Sequence, residues 1–136
     1  MAGKTNGQVI NFDLLASGAG ELAIAGVTTL YSETFICLKD VTFGFEYKFR
    51  SGGVVAVDIF VEQGNTPPAT EGAASANMVV PDSASALAAD VADTNLHVTA
   101  YAPIVTNFFR LKVVGKGLNA ATTVLEKFIV NTVVNA

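Results

Sequence analysis

Between Val41 and Arg50 every second side chain is apolar or aromatic. Val41, Phe43, Phe45, Tyr47 and Phe49 fall on one face; Thr42, Gly44, Glu46, Lys48 and Arg50 fall on the other. A period of two marks a strand, because successive side chains of a pleated backbone point to opposite sides. Aromatic and β-branched residues suit that half-buried surface. Ser51-Gly52-Gly53 follows, and glycine reaches the positive φ of a tight reversal without a steric penalty. A second alternating run sets Val55, Val57, Ile59 and Val61 inward against Ala56, Asp58, Phe60 and Glu62. The two runs are expected to form an antiparallel hairpin.

From Gly64 to about Asp93 the alternation dissolves. Two prolines and a glycine in Asn65-Thr-Pro-Pro-Ala-Thr-Glu-Gly72 break strands. Met78-Val79-Val80 is a short strand candidate before Pro81, and Ser83 to Asp90 reads as a serine-capped helical turn. Loops this long in a small domain are usually functional or packed by their own side chains. Alternation returns at Asn95 to Tyr101 and again from Ile104 to Val114, where Phe109, Leu111 and Val113 point inward and Phe108, Arg110 and Lys112 outward. Gly115 to Asn119 reads as a hairpin turn and Thr122 to Val134 as a last long strand; Gln8 to Leu15 and Thr28 to Leu38 supply two or three more. About seven strands with no long helix predict an all-β fold, an antiparallel β-sandwich or jelly roll with one long loop near 64–93. One domain is expected over 1–136, with an N-terminal arm over about 1–20.

Composition narrows the functions available. The chain has 136 residues, of which 51% are hydrophobic and 15% charged, against a usual charged share of about 25%. A disordered segment needs the reverse balance. One cysteine, Cys37, excludes a disulfide within the chain and a cysteine-based zinc site; one histidine, His97, excludes histidine-pair metal sites. Eight basic residues and a net charge of −4 argue against a nucleic-acid partner. No apolar run of signal-peptide or membrane-helix length occurs, so synthesis in a cytoplasm and no membrane partner are expected. A globular chain of this size exposes roughly 6,700 Å². Twenty charged side chains are thin cover for such a surface, and burial against neighbouring subunits would relieve it.

Candidate chemistry is sparse. Gly115-Lys116-Gly117 lacks the spacing and the following helix of a phosphate loop, and Ser17-Gly-Ala-Gly20 lacks the frame of a nucleophile elbow. Asp90, Asp93 and Asn95 offer oxygen ligands of the kind calcium takes, but without an EF-hand spacing. Turn capping is the commoner role of such residues, and no metal site is assigned. His97 lies in a strand with no sequence-local partner for acid–base work, and Cys37 sits among apolar neighbours as core filler. Asp58 and Glu62 read more simply as solvating a strand face than as a catalytic pair, so no enzyme and no cofactor are expected. Phe60 and Phe108 stand out because both fall on faces that their strands otherwise give to charge. Either a loop covers them or they form a partner interface, as aromatics rimmed by charge commonly do.

The run Asp93-Thr-Asn-Leu-His-Val98, then Ala102-Pro-Ile-Val-Thr-Asn-Phe-Phe-Arg-Leu-Lys-Val-Val-Gly-Lys-Gly117, then a terminal strand, resembles small β-sandwich proteins of tailed-phage structural modules. In these a strand ending in Glu-Gln, here Val61-Glu62-Gln63, precedes a variable loop. The resemblance spans about residues 41 to 131. It implies a virion component of the capsid decoration (cement) type, whose partners are the major capsid protein and copies of itself, in an oligomer such as a trimer. It brings no catalytic residue or cofactor. A tail, neck or fibre module is the nearest alternative. A carbohydrate-binding or adhesion sandwich is a further one, weakened by the absence of tryptophan and by an inward Tyr47.

Overall fold

The computed structural model describes residues 8–9, 22–25, 28–37, 41–51, 57–81, 87–91, 95–101, 104, 106–116 and 122–134. Ten strands lie among the described residues: β1 (Gln8–Val9), β2 (Leu22–Ala25), β3 (Thr29–Tyr31), β4 (Phe35–Ile36), β5 (Val41–Ser51), β6 (Val57–Gly64), β7 (Ala88–Val91), β8 (His97–Tyr101), β9 (Phe108–Gly115) and β10 (Thr122–Val134). They form two five-stranded sheets. Sheet A runs β1-β10-β5-β8 with β2 also on β10; sheet B runs β3-β9-β6-β7 with β4 also on β9. Every pairing is antiparallel. The fold is an all-β antiparallel sandwich, as the alternation predicts.

The pairs are nested. β6 meets β7, β5 meets β8, β3 and β4 meet β9, and β1 and β2 meet β10. A long two-stranded ribbon with its tip at β6–β7 has been rolled so that β10–β5 and β9–β6 close the sheets. This is the jelly roll. It corrects two expectations. β5 and β6 are not a hairpin: β5 lies in sheet A and β6 in sheet B. The same holds for β9 and β10, which lie in different sheets and form no hairpin; most of the turn expected at Gly115 to Asn119 lies outside the described residues. Both misreadings have one cause, since alternation reports which face is buried and says nothing of which strand lies alongside.

The core sits between the layers. Phe43, Phe45, Tyr47 and Phe49 of β5, with Ile24, Leu125, Phe128 and Val130, face Val57, Ile59, Val61, Phe109, Leu111 and Val113. Leu125 and Phe128 both point inward although three residues apart. A register shift between Leu125 and Lys127 inserts the extra residue that makes this possible. Phe43 bridges the layers to Phe109 at 4.5 Å between centroids, and Phe35, the cross-strand neighbour of Phe109 in sheet B, stacks on it at 5.3 Å. Such pairs add about 0.5–1.5 kcal/mol each beyond their buried area. Ala88 to Asp90, expected within a helical turn, instead belongs to β7 and pairs with β6; tertiary pairing overrides the local preference of an alanine-rich segment. Val79 forms a single antiparallel bridge with Gln63, which is all that becomes of the strand expected at Met78–Val80.

Candidate interaction surfaces

The outer face of sheet B carries the residues that sequence analysis singled out. Register places three rows across it. Tyr31, Lys112 and Phe60 make the first, Arg110 and Glu62 the second, and Ile36, Phe108 and Gly64 the third. Phe60 and Phe108 therefore lie on the same face but are separated by the middle row. Both are half-buried. Across from Phe108, Ile36 is 66% exposed, and it is the most open apolar side chain on this face among the described residues.

The middle row departs from expectation. Alternation assigns Arg110 and Glu62 to solvent, yet Arg110 is fully buried and Glu62 nearly so. Their charges meet directly, with Arg110 Nε donating to Glu62 Oε1 at 2.8 Å. Nη1 donates to the Ala73 carbonyl at 2.7 Å, and the guanidinium lies 4.1 Å over the Tyr31 ring. Residues 65–80, part of the β6–β7 connection, form a strap that covers the Glu62–Arg110 row. The strap is tied at several points. Gln63 and Val79 exchange backbone hydrogen bonds of 2.8 and 3.1 Å, Asn107 N donates to Asn65 Oδ1, and Thr34 donates from both its backbone N and its hydroxyl to Glu71. It is also packed by its own side chains, since Ser75 Oγ accepts from Ala69 N and Asn77 N, while Pro68 and Met78 are buried. Gly72 turns at its tip with φ 77°, a conformation that side chains disfavour.

Glu33, beside Thr34, is pushed above the ordinary glutamate range, first by burial and then by the charge of Glu71. The folded chain thus holds the Glu33 proton more tightly than the unfolded chain. Its penalty is absent below the unfolded pKa and grows as pH rises through the raised folded value. Glu33→Gln is expected to gain in melting temperature relative to wild type between pH 4 and pH 7. A gap that stays constant or narrows over that range would contradict this origin.

The other candidates fall apart from one another. Lys116 pairs with Asp58 at 3.5 Å on a partly exposed edge, a contact worth about 0–1 kcal/mol. His97 is half-buried in β8 and stacks on Tyr47 at 5.0 Å, which stacks in turn on Phe128. Cys37 packs half-buried against the core. Only the backbone of Asp90 is described, within β7, and Asp93, Ser17 and Gly117 lie outside the described residues. Among the described residues no three His, Cys, Asp or Glu side chains come together. What sequence reasoning missed is on sheet A, where Leu96 and Val98 are 54% and 74% exposed beside an exposed Ala100. The signal was present in the strand alternation, with His97, Thr99 and Tyr101 on the opposite parity.

No family model and no curated protein matches the chain. Among solved structures, a chain of infectious bursal disease virus, Gx strain, superposes with a TM-score of 0.56 at 11% identity, over all of this chain and 32% of that one. The present chain thus spans about a third of the viral chain it resembles. The likeness is one of fold.

Proposed function

We propose that the chain is a structural virion protein of the capsid decoration type, binding a major capsid protein and copies of itself on the outside of a phage head. The observation that carries this reading is the nested strand order, β1/β2-β10-β5-β8 over β3/β4-β9-β6-β7. That order is the jelly roll, an architecture of viral capsid domains, and the likeness in fold to about a third of a viral chain agrees with it. Composition supports the same reading, because 7169 Å² of surface is shared among twenty charged side chains, and subunit contacts would cover part of the remainder. A decoration protein works by area buried across a junction and needs neither acid–base pair nor cofactor, so the reading includes no enzymatic activity. Its location is the virion, after synthesis in a host cytoplasm. No helix among the described residues is long and apolar enough to cross a membrane.

Jelly rolls also host lectins, which keeps carbohydrate binding as the second reading. Sugar sites lean on open aromatic platforms; here Tyr47 is buried while Tyr31 and Tyr101 are half-buried. The test is direct. Purified protein added to heads that lack it is expected to bind saturably, at a fixed number of copies per capsomer, and to raise the temperature at which heads open. Absence of binding would reject the decoration role, and immunogold label confined to the tail would favour a tail, neck or fibre module.

A further inference from the structure

Sheet A ends at β8. Five registered pairs, from Phe43 with Tyr101 to Tyr47 with His97, join it to β5 without a bulge. Among the described residues no strand pairs with its other side. Its outer row is Val98 and Ala100, with Leu96 just before the strand, and all three are exposed. From Asn95 to Tyr101 there is no Lys, Arg, Asp, Glu, Pro or Gly. Edge strands are ordinarily guarded by lysine, inward charge, proline or a bulge; β8 has none of these. Such an edge accepts an extended segment, whose backbone continues the ladder and whose alternate side chains cover the outer row.

We propose that the segment β8 receives is the β8 of a second copy, antiparallel about a two-fold axis normal to sheet A. With Thr99 on the axis, Val98 meets the partner's Ala100, and His97 meets the partner's Tyr101, each contact occurring twice. Residues of equal parity meet, so the apolar outer row runs on unbroken from one copy to the next. Charge selects the same occupant. The β5 residues beside the row, Glu46 and Lys48, have opposite signs, so the edge offers no net field to an acidic or basic peptide. The β8 strand itself has no carboxylate or ammonium, so two copies of a chain with net charge −4 meet there without like charges opposed. One short strand and its outer row bury less than the roughly 1,200 Å² of a stable pair. The contact is therefore weak in dilute solution and becomes firm where copies are held close together. This supplies the self-contact of the assembly reading and rests on it for its setting, while the edge geometry stands on its own.

Sedimentation equilibrium of the full chain, from micromolar to millimolar concentration, is expected to show a monomer–dimer equilibrium. Val98→Lys should weaken it about tenfold or more, since each dimer then places two lysines in the seam. Ile36→Lys, on the other sheet, should leave it unchanged. In the unmodified chain, amide exchange within 95–101 should slow as concentration rises. A chain that stays monomeric to millimolar concentration overturns the proposal. So does dimerisation weakened by Ile36→Lys but not by Val98→Lys, exchange slowed only outside 95–101, or capture of an unrelated extended peptide without self-association. Dimerisation at β8 without head binding would sustain the proposal while rejecting the decoration role; head binding by a strictly monomeric chain would do the reverse.

Discussion

Arg110→Ala is expected to cost about 3–5 kcal/mol of folding stability, measured by equilibrium denaturation, because it leaves a buried carboxylate with no counter-charge. Glu62 is 6% exposed, and its partner is Arg110 Nε at 2.8 Å. The same substitution frees the Ala73 carbonyl and removes the cation from the Tyr31 ring, so the strap loses an anchor as well. Arg110→Lys should recover only part of the loss, since an ammonium cannot form the guanidinium fork or stack flat on a ring. Breaking the pair and replacing it are different experiments. Nη2 finds no hydrogen-bond partner among the described residues, so desolvation is incompletely compensated. The double variant Arg110→Met with Glu62→Met is therefore expected to lose far less than Arg110→Ala alone, and a gain is within the range known for such swaps. A loss below about 1 kcal/mol for Arg110→Ala would place the pair in the exposed class and undo this account.

Gly64→Ala is the second large effect. A methyl group there would lie 2.1 Å from the Asn77 carbonyl oxygen and 3.0 Å from Met78 Sδ. A backbone oxygen cannot swing aside as a side-chain tip can, and the Gln63–Val79 hydrogen bonds hold this stretch against β6. The strap must therefore lift. Overpacking of this kind costs about 1–3 kcal/mol, and more where backbone has to move. The expected signature is that loss together with new protease cleavage within 65–80. Wild-type stability and unchanged cleavage would mean that the strap does not close on Gly64. The two predictions are coupled, because both act on the cover over the Glu62–Arg110 row. Their combined effect should fall short of the sum.

The inner lining of both sheets was legible from alternation alone. Phe43, Phe45, Tyr47 and Phe49 are buried as their period requires, as are Phe109, Leu111 and Val113. The last strand runs from Thr122 to Val134 as read. The outer faces were legible only as faces. Arg110 and Glu62 sit at outward positions of their strands, yet the connection that leaves β6 folds back over them and reaches Arg110 across 37 residues of sequence; strand alternation does not report that return. Phe60 and Phe108 share a face, as their parity says, and the covered row between them keeps them from forming one patch. Val98, the most open large apolar residue among the described ones, is marked in the sequence only by its parity opposite His97, Thr99 and Tyr101.

What the chain settles without its fold is the position of the long strands and the inward side of each, because the pleat is a property of neighbouring residues and repeats every two. What only the tertiary structure decides is which strands become neighbours and which charges lose their water. Those depend on pairs as distant as Gln8 with Val130 and Leu22 with Leu125, and on a strap that closes over side chains otherwise patterned for solvent. Adjacency in a rolled ribbon is set by how its two ends return to each other, and that closure leaves no periodic trace in the sequence.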